Sequence, residues 1–193
     1  MSGATVNFAL SPGDTFVQVF RWATGPYITK AITGISKAAP AIVTAVGHGV
    51  VAGWPVAVVS AQGMVGINAT RYPPRGDDWH QASVPSSDTV ELNDVDSSLF
   101  TAYTTGGFLV YPTPVVLTGM TATFKVYDNP GHTGTPLVSL TDVSGVTLNT
   151  TTKTITVTFP TAAATWGVGY YELVLTDSLG VVKEVAEGTI TLQ

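Results

Sequence analysis

The 193-residue chain contains no cysteine. That absence excludes a disulfide framework, a thiolate zinc site and a cysteine nucleophile together, and it suits synthesis in a reducing cytoplasm. Charge is also scarce. Only 8 Lys and Arg and 13 Asp and Glu are present, 11% of the chain, against roughly a quarter in ordinary soluble domains. With a formal net charge of -5 and no basic cluster, the chain lacks the cationic surface that displaces counterions from nucleic acid. No apolar run reaches the roughly 20 residues of a membrane helix. The opening MSGATVNFAL has no basic stretch ahead of an apolar one, so no secretory signal is expected. Neither nucleic acid nor membrane is an expected partner.

Helical periodicity is nearly missing as well. What fills the chain is Val and Thr, punctuated by 20 Gly and 12 Pro, the pattern of many short strands. In Thr154–Phe159, Ile155, Val157 and Phe159 alternate with threonines, so one face is expected on a core and one in water. Phe124 and Val126 alternate in Ala122–Tyr127, as do Tyr171, Leu173 and Leu175 in Tyr170–Thr176. Asp177–Gly180 reads as a hairpin turn into Val181–Glu187, and Gly188–Leu192 as a final strand.

The middle of the chain has a different character. Ala41–Val46 and Trp54–Ser60 read as strands around a Gly-rich corner, with His48 in a turn. Met64–Ala69 reads as a helical turn or irregular loop, and Arg71–Asp78, with its consecutive prolines, as a loop. Short strands follow at Trp79–Ser83 and Thr89–Leu92, then a polar stretch from Asn93 to Gly107. Thr33-Gly34 and Pro112-Thr-Pro114 sit where the two ends of an insertion belong. The expected organisation is an all-β fold. Residues 1–32 and 112–193 form one discontinuous β-sandwich, in which Val6–Gly34 contributes two or three strands, and residues 33–111 form an inserted small β-barrel-like domain.

Residues that could carry chemistry are few and scattered. His48, His80 and His132 are not spaced as metal ligands. A Ser86, His80 and Asp78 triad lacks a G-x-S-x-G elbow, and a solvated loop is the plainer reading of that region. Asp94 and Asp96 with Asn93 offer calcium oxygens without an EF-hand pattern. Glu172, Glu184 and Glu187 lie on strands, where solvated faces are the simpler reading than paired glycosidase carboxylates. No phosphate-binding glycine motif occurs. No catalytic, cofactor or metal residue is therefore assigned, and no enzyme activity is expected. Trp22, Trp54 and Trp166 lie in or beside apolar strands and read as core, whereas Trp79 reads as an exposed contact. A surface this poor in charge is expected to be covered by protein partners. The candidate contact residues are Arg71, Tyr72, Arg75, Asp77, Asp78, Trp79 and His80 on one loop, and Asp94, Asp96 and Tyr103 on another.

Four blocks, Leu10–Phe20, Leu117–Asp128, Val146–Pro160 and Trp166–Leu192, resemble the immunoglobulin-like domain at the N-terminus of phage baseplate upper proteins. The most specific is the last, with its Gly-Tyr-Tyr-Glu-Leu strand, Asp-Ser-Leu-Gly turn and Glu-Gly-Thr closing strand. Ile32–Met64 and Val90–Tyr111 are similar to a module of many phage virion proteins that is likened to a small β-barrel half-domain of ubiquitin-activating enzymes. The resemblance implies an Ig-like sandwich with an inserted barrel and a structural role in a tailed-phage virion made in the bacterial cytoplasm. It implies many copies in a symmetric homo-oligomer, with neck, tail, fibre or capsid subunits as partners and no cofactor. Baseplate upper proteins continue into further regions, so a neck component, a fibre anchor or a capsid decoration protein fits as well as a baseplate protein. A carbohydrate-binding module reading host glycans through Trp79, Tyr72 and His80 is the alternative.

Overall fold

The computed structural model describes residues 3–193, and the fold is all-β. In chain order the strands are β1 (Ala4–Thr5), β2 (Phe8–Leu10), β3 (Thr15–Arg21), β4 (Ala23–Ala31), β5 (Gly34–Ile35), β6 (Ala41–Thr44), β7 (Pro55–Val59), β8 (His80–Ser86), β9 (Thr89–Leu92), β10 (Phe108–Pro114), β11 (Thr121–Tyr127), β12 (Val138–Thr141), β13 (Val146–Asn149), β14 (Thr154–Pro160), β15 (Val168–Thr176) and β16 (Val182–Leu192). Among the described residues the helical elements are two 3₁₀ turns, Val65–Ile67 and Gly76–Asp78. The chain divides into two compact units. One is made from both ends, up to Trp22 and from Val116 to Gln193, and the other is Ala23–Val115.

The unit built from the chain ends is a sandwich. One sheet has the order β1-β16-β15-β11-β12, with β2 also on β16, and the other has the order β13-β14-β3. The alternation of β11, β14 and β15 buries Phe124 and Val126, Ile155, Val157 and Phe159, and Tyr171, Leu173 and Leu175. Rings from the two sheets meet between them: Phe16 of β3 lies 5.9 Å from Phe124 of β11, and Phe20 lies 6.4 Å from Tyr171 of β15. Phe8 of β2 packs edge-on against Phe16 at 5.2 Å. Pairs of this kind add about 0.5–1.5 kcal/mol to the burial of the rings themselves. The arm carrying Phe8 runs parallel to β16, and the Tyr171 hydroxyl donates to the Val6 carbonyl at 2.9 Å. Gly188 is required there: its φ is +151°, and a Cβ would fall 2.0 Å from the Val6 oxygen. The two strands read from Val181–Glu187 and Gly188–Leu192 are one eleven-residue strand, β16, because β15 pairs along its whole length. A register shift opposite Leu173 and Val174 absorbs the extra residue.

The other unit holds one ladder in the order β4-β10-β7-β8-β9-β6-β5. Its two ends are the same stretch of chain. Residues 23–31 pair with β10, Ile32 N–H donates to the Gly107 carbonyl, Thr33 N–H donates to the Thr44 carbonyl, and residues 34–35 pair with β6. The expected boundary near Thr33 is thereby corrected. Ala23–Ala31 belongs to the inserted unit and not to the sandwich, because β4 finds its ladder partner in β10. The interior is small and branched, with Val43, Val56, Val58, Val90, Leu92 and Leu109 around Trp54. Trp54 Nε1 donates to the Pro112 carbonyl at 2.8 Å. His48 sits in its glycine-flanked turn yet is only 1% exposed. Its Nδ1 accepts from Val50 N–H at 2.9 Å, which leaves Nε2 to donate to the Ser86 carbonyl at 3.1 Å. It is a structural pin.

Candidate functional site

Along β4, β10 and β7, register sets two faces. Leu109, Tyr111, Val56 and Val58 point into the core cluster. Phe108 pairs with Val59 and Ala31, and Val110 with Ala57 and Thr29, so these residues share the outer face. Val110 and Ala57 are nonetheless fully buried, and the segment from Ala69 to Trp79 is tied to the neighbouring residues of β7 and β4. Ala69 N–H donates to the Val58 carbonyl at 2.7 Å, and the Trp79 ring lies 5.6 Å from Tyr27 of β4. Asn68 fixes the start of the segment, exchanging two side-chain hydrogen bonds with the backbone of Ala61.

Asp78 organises the rest of the segment. Its Oδ1 accepts from Thr70 N–H at 2.7 Å and from the Thr70 hydroxyl at 2.8 Å, and its Oδ2 accepts from Arg75 N–H at 3.0 Å. Arg71 Nε stands 3.5 Å from the same Oδ2. Backbone hydrogen bonds from Arg75 and Thr70 are the main cause that pulls the Asp78 carboxyl down to about 2. Asp78 is thus a buried anchor, which corrects its reading as a contact residue.

The segment leaves a cleft on each side. The first, of about 530 Å³, is lined by Thr29, Val59, Ser60, Ala69, Thr70, Arg71, Tyr72 and Phe108. Tyr72 is 68% and Phe108 46% exposed. The second, of similar volume, holds Asp77, His80, Asp94 and Asp96 with Phe100 at its wall.

The remaining expected contact residues separate by role. Tyr72, Arg71, Arg75 and Asp77 are exposed. Trp79, expected exposed, is half-buried because Tyr27 covers its ring. His80 is not in a solvated loop: it opens β8, and its Nδ1 donates to Asp94 Oδ2 at 3.0 Å. Asp96 accepts from the N–H and the hydroxyl of Ser98, which lower its pKa. Tyr103, expected on a contact loop, is half-buried, with its hydroxyl 3.0 Å from the carbonyls of Ile32 and Gly106.

The imagined triad does not assemble. Ser86 Oγ is paired with Thr89 at 2.7 Å, His80 with Asp94, and Asp78 with its own loop. Among the described residues no three His, Asp or Glu side chains gather to hold a metal ion, Asp94 and Asp96 included. Glu172 opposes Lys125 and Glu187 across its neighbouring strands and accepts from the Tyr127 hydroxyl at 3.2 Å. Sequence reasoning missed Phe108, Thr29 and Ser60 in the first cleft. Phe108 begins the unbroken apolar run Phe108–Tyr111, which carries no alternation to reveal an outward ring.

The sandwich unit presents a second kind of surface. Thr121, Thr176 and Val182 are register partners, and Asp142 N–H donates to the Ala122 carbonyl. The turns after β12 and β15 therefore share one end of the larger sheet. There Val143 is 91%, Leu179 87% and Val182 64% exposed. The Asp177 carboxylate accepts from Leu179 N–H and Val181 N–H, both at 2.9 Å, and so holds the Leu179 tip in place. Strand β3 is an edge with Val17 53% and Val19 46% exposed.

No protein-family model matches the chain, and no curated protein is significantly similar to it.

Proposed function

We propose that this chain is a structural subunit of a tailed-bacteriophage virion that works by multi-copy protein–protein assembly, in the neck, tail, baseplate or a fibre-anchoring adaptor. The observation that carries the reading is the end of the sandwich sheet where Val143, Leu179 and Val182 are 91%, 87% and 64% exposed. Exposed aliphatics gathered at one end of a sheet mark a candidate interaction surface. A tip fixed by a side-chain acceptor loses little freedom on docking. The edge of β3 offers unpaired backbone groups beside Val17 and Val19, a second means of joining chains. An 11% charge content lowers the desolvation cost of covering the remaining surface. The immunoglobulin-like blocks in the sandwich add the virion context. The ladder that begins and ends on residues 23–35 supports reading the inserted unit as the small barrel of phage virion proteins. A capsid decoration role uses the same surfaces.

The test has two arms. Mass spectrometry of purified particles should detect the chain as a stoichiometric component, and light scattering should show a defined oligomer of the isolated protein or of its complex with a particle component. Val143→Glu with Leu179→Glu should abolish that assembly while leaving the melting temperature within a few degrees, since exposed substitutions change stability by about 0.5 kcal/mol or less. A chain missing from particles would overturn the virion reading. Undiminished assembly of the double variant would overturn the assigned surface.

A further inference from the structure

We propose that the cleft between Tyr72 and Phe108 in the inserted unit is a binding site for a neutral oligosaccharide. The proposal stands independently of the virion reading, because it concerns a different unit and a different surface.

Three features of the cleft point to this ligand. First, its volume of about 530 Å³ falls in the range of roughly 300–1,000 Å³ found for small-molecule sites, and it is open, as a chain-like ligand requires. Second, its sides combine two ring faces with hydrogen-bonding groups. Tyr72 and Phe108, 68% and 46% exposed, carry aromatic rings of about the size of a pyranose, and the polar residues Thr29, Ser60, Thr70 and Arg71 line the same space. Flat apolar faces beside hydroxyl and guanidinium donors match a sugar, which is apolar on its ring faces and polar around its rim. Third, the site is held in shape before any ligand arrives. The buried Asp78 carboxylate fixes both Thr70 and Arg71, the residues leading into Tyr72. A rigid cleft binds with little loss of freedom.

Asp78 also decides the charge of the ligand. It is ionised at neutral pH and lies 3.5 Å from Arg71 Nε. The pair is locally neutral, so the guanidinium serves as a hydrogen-bond donor to hydroxyl oxygens and gains little from a second carboxylate. A neutral saccharide is therefore favoured over a uronate.

Ser60 also lines the cleft. It holds a left-handed φ of 60° at the edge of the cleft, where glycine would fit without strain. Replacing it by glycine therefore tests the side chain without straining the backbone.

The experiment uses the full chain and titrates maltohexaose, laminarihexaose and chitohexaose as neutral probes and an alginate hexamer as the acidic one, read by calorimetry and by amide chemical shifts. At least one neutral hexamer should bind, with shifts confined to residues 29, 59–60, 69–72 and 108. Tyr72→Ala and Phe108→Ala should each weaken it by roughly three- to tenfold, the fold-change equivalent of one aromatic face. Ser60→Gly relieves the backbone and removes the hydroxyl. It should preserve or raise the melting temperature while weakening binding, an outcome that a purely structural role cannot give. The proposal is overturned if no neutral hexamer binds at millimolar concentration, or if the alginate hexamer binds in preference. Affinity that survives both aromatic substitutions would also overturn it. So would shifts at these residues produced by raising the protein concentration alone, which would assign the cleft to a second copy of the chain.

Discussion

The two units solve the same problem with different materials. The sandwich fills the gap between its sheets with rings: Phe8, Phe16, Phe20, Phe124, Phe159 and Tyr171 form one connected cluster with centroid separations of 5.0–6.4 Å. Facing sheets lie about 10 Å apart, and large planar side chains from both faces are needed to fill that distance. The inserted unit, whose ladder returns to its own first segment, fills its interior mainly with Val, Ala and Leu. It then spends polar side chains on fixing its loops. His48, Ser97 and Asp78 are all buried there, each with hydrogen-bond partners. Both units pin loops with polar side chains, as Thr161 and Asp177 do in the sandwich, and they differ in what fills their cores.

The sharpest way to separate the two is Phe124→Ala. Phe124 is fully buried and touches Phe16, Phe159 and Tyr171. Truncation of such a ring costs about 3–5 kcal/mol. Hydrogen exchange should then show protection falling in β11, β14 and β15 while β7, β9 and β10 keep theirs. An equal fall in both sets would mean that the units unfold as one, and the contrast drawn here would lose its meaning.

Ser97→Ala probes the opposite case with a smaller effect. The Ser97 hydroxyl stands 2.7 Å from the Ser36 carbonyl, to which it donates, and accepts from Ala38 N–H at 3.1 Å. Removing it leaves part-buried backbone groups of Ser36 and Ala38 without this partner, at a cost of about 1 kcal/mol. The loss should appear as faster exchange at residues 36–42 and 95–100, with the sandwich unaffected. A neutral result would show that loop pinning is not what holds the inserted unit.

The same contrast explains what could be read from the sequence. The sandwich strands were legible because alternation places Ile155, Val157 and Phe159, or Tyr171, Leu173 and Leu175, on one face, and the burial follows that pattern. Composition was enough for the all-β class. In the inserted unit, local pattern failed at three points. Ala23–Ala31 runs directly on from β3 and changes unit only because its partner is β10, a long-range choice that no local signal records. Asp78 and Tyr103 resemble ordinary polar loop residues, and only the folded loop makes one a buried acceptor and the other a pin. The first cleft draws Phe108 from a strand, Thr29 from another and Tyr72 from a loop, so its members are spread over some eighty positions of sequence with nothing to link them.

The finest test of the contrast is acid. The Asp78 carboxyl has its pKa lowered from 3.8 to about 2 in the fold by the N–H groups of Arg75 and Thr70. A carboxyl with a depressed folded value contributes stability that is fully present above its unfolded pKa and is lost as pH falls through the folded one. The window therefore runs from near pH 4 down to about 2. Within it the segment from Thr70 to Asp78 should loosen, read as increased proteolytic cleavage and faster amide exchange at Thr70 and Arg75. Asp78→Asn keeps an acceptor for Thr70 but cannot titrate. In that variant the loop should already be looser at neutral pH, and its exchange, corrected for the intrinsic rate, should no longer change across the window. If wild type and variant show the same pH profile, the loop is held by its packing on β4 and β10, and the inserted unit is closer to the sandwich in kind than its buried polar groups suggest.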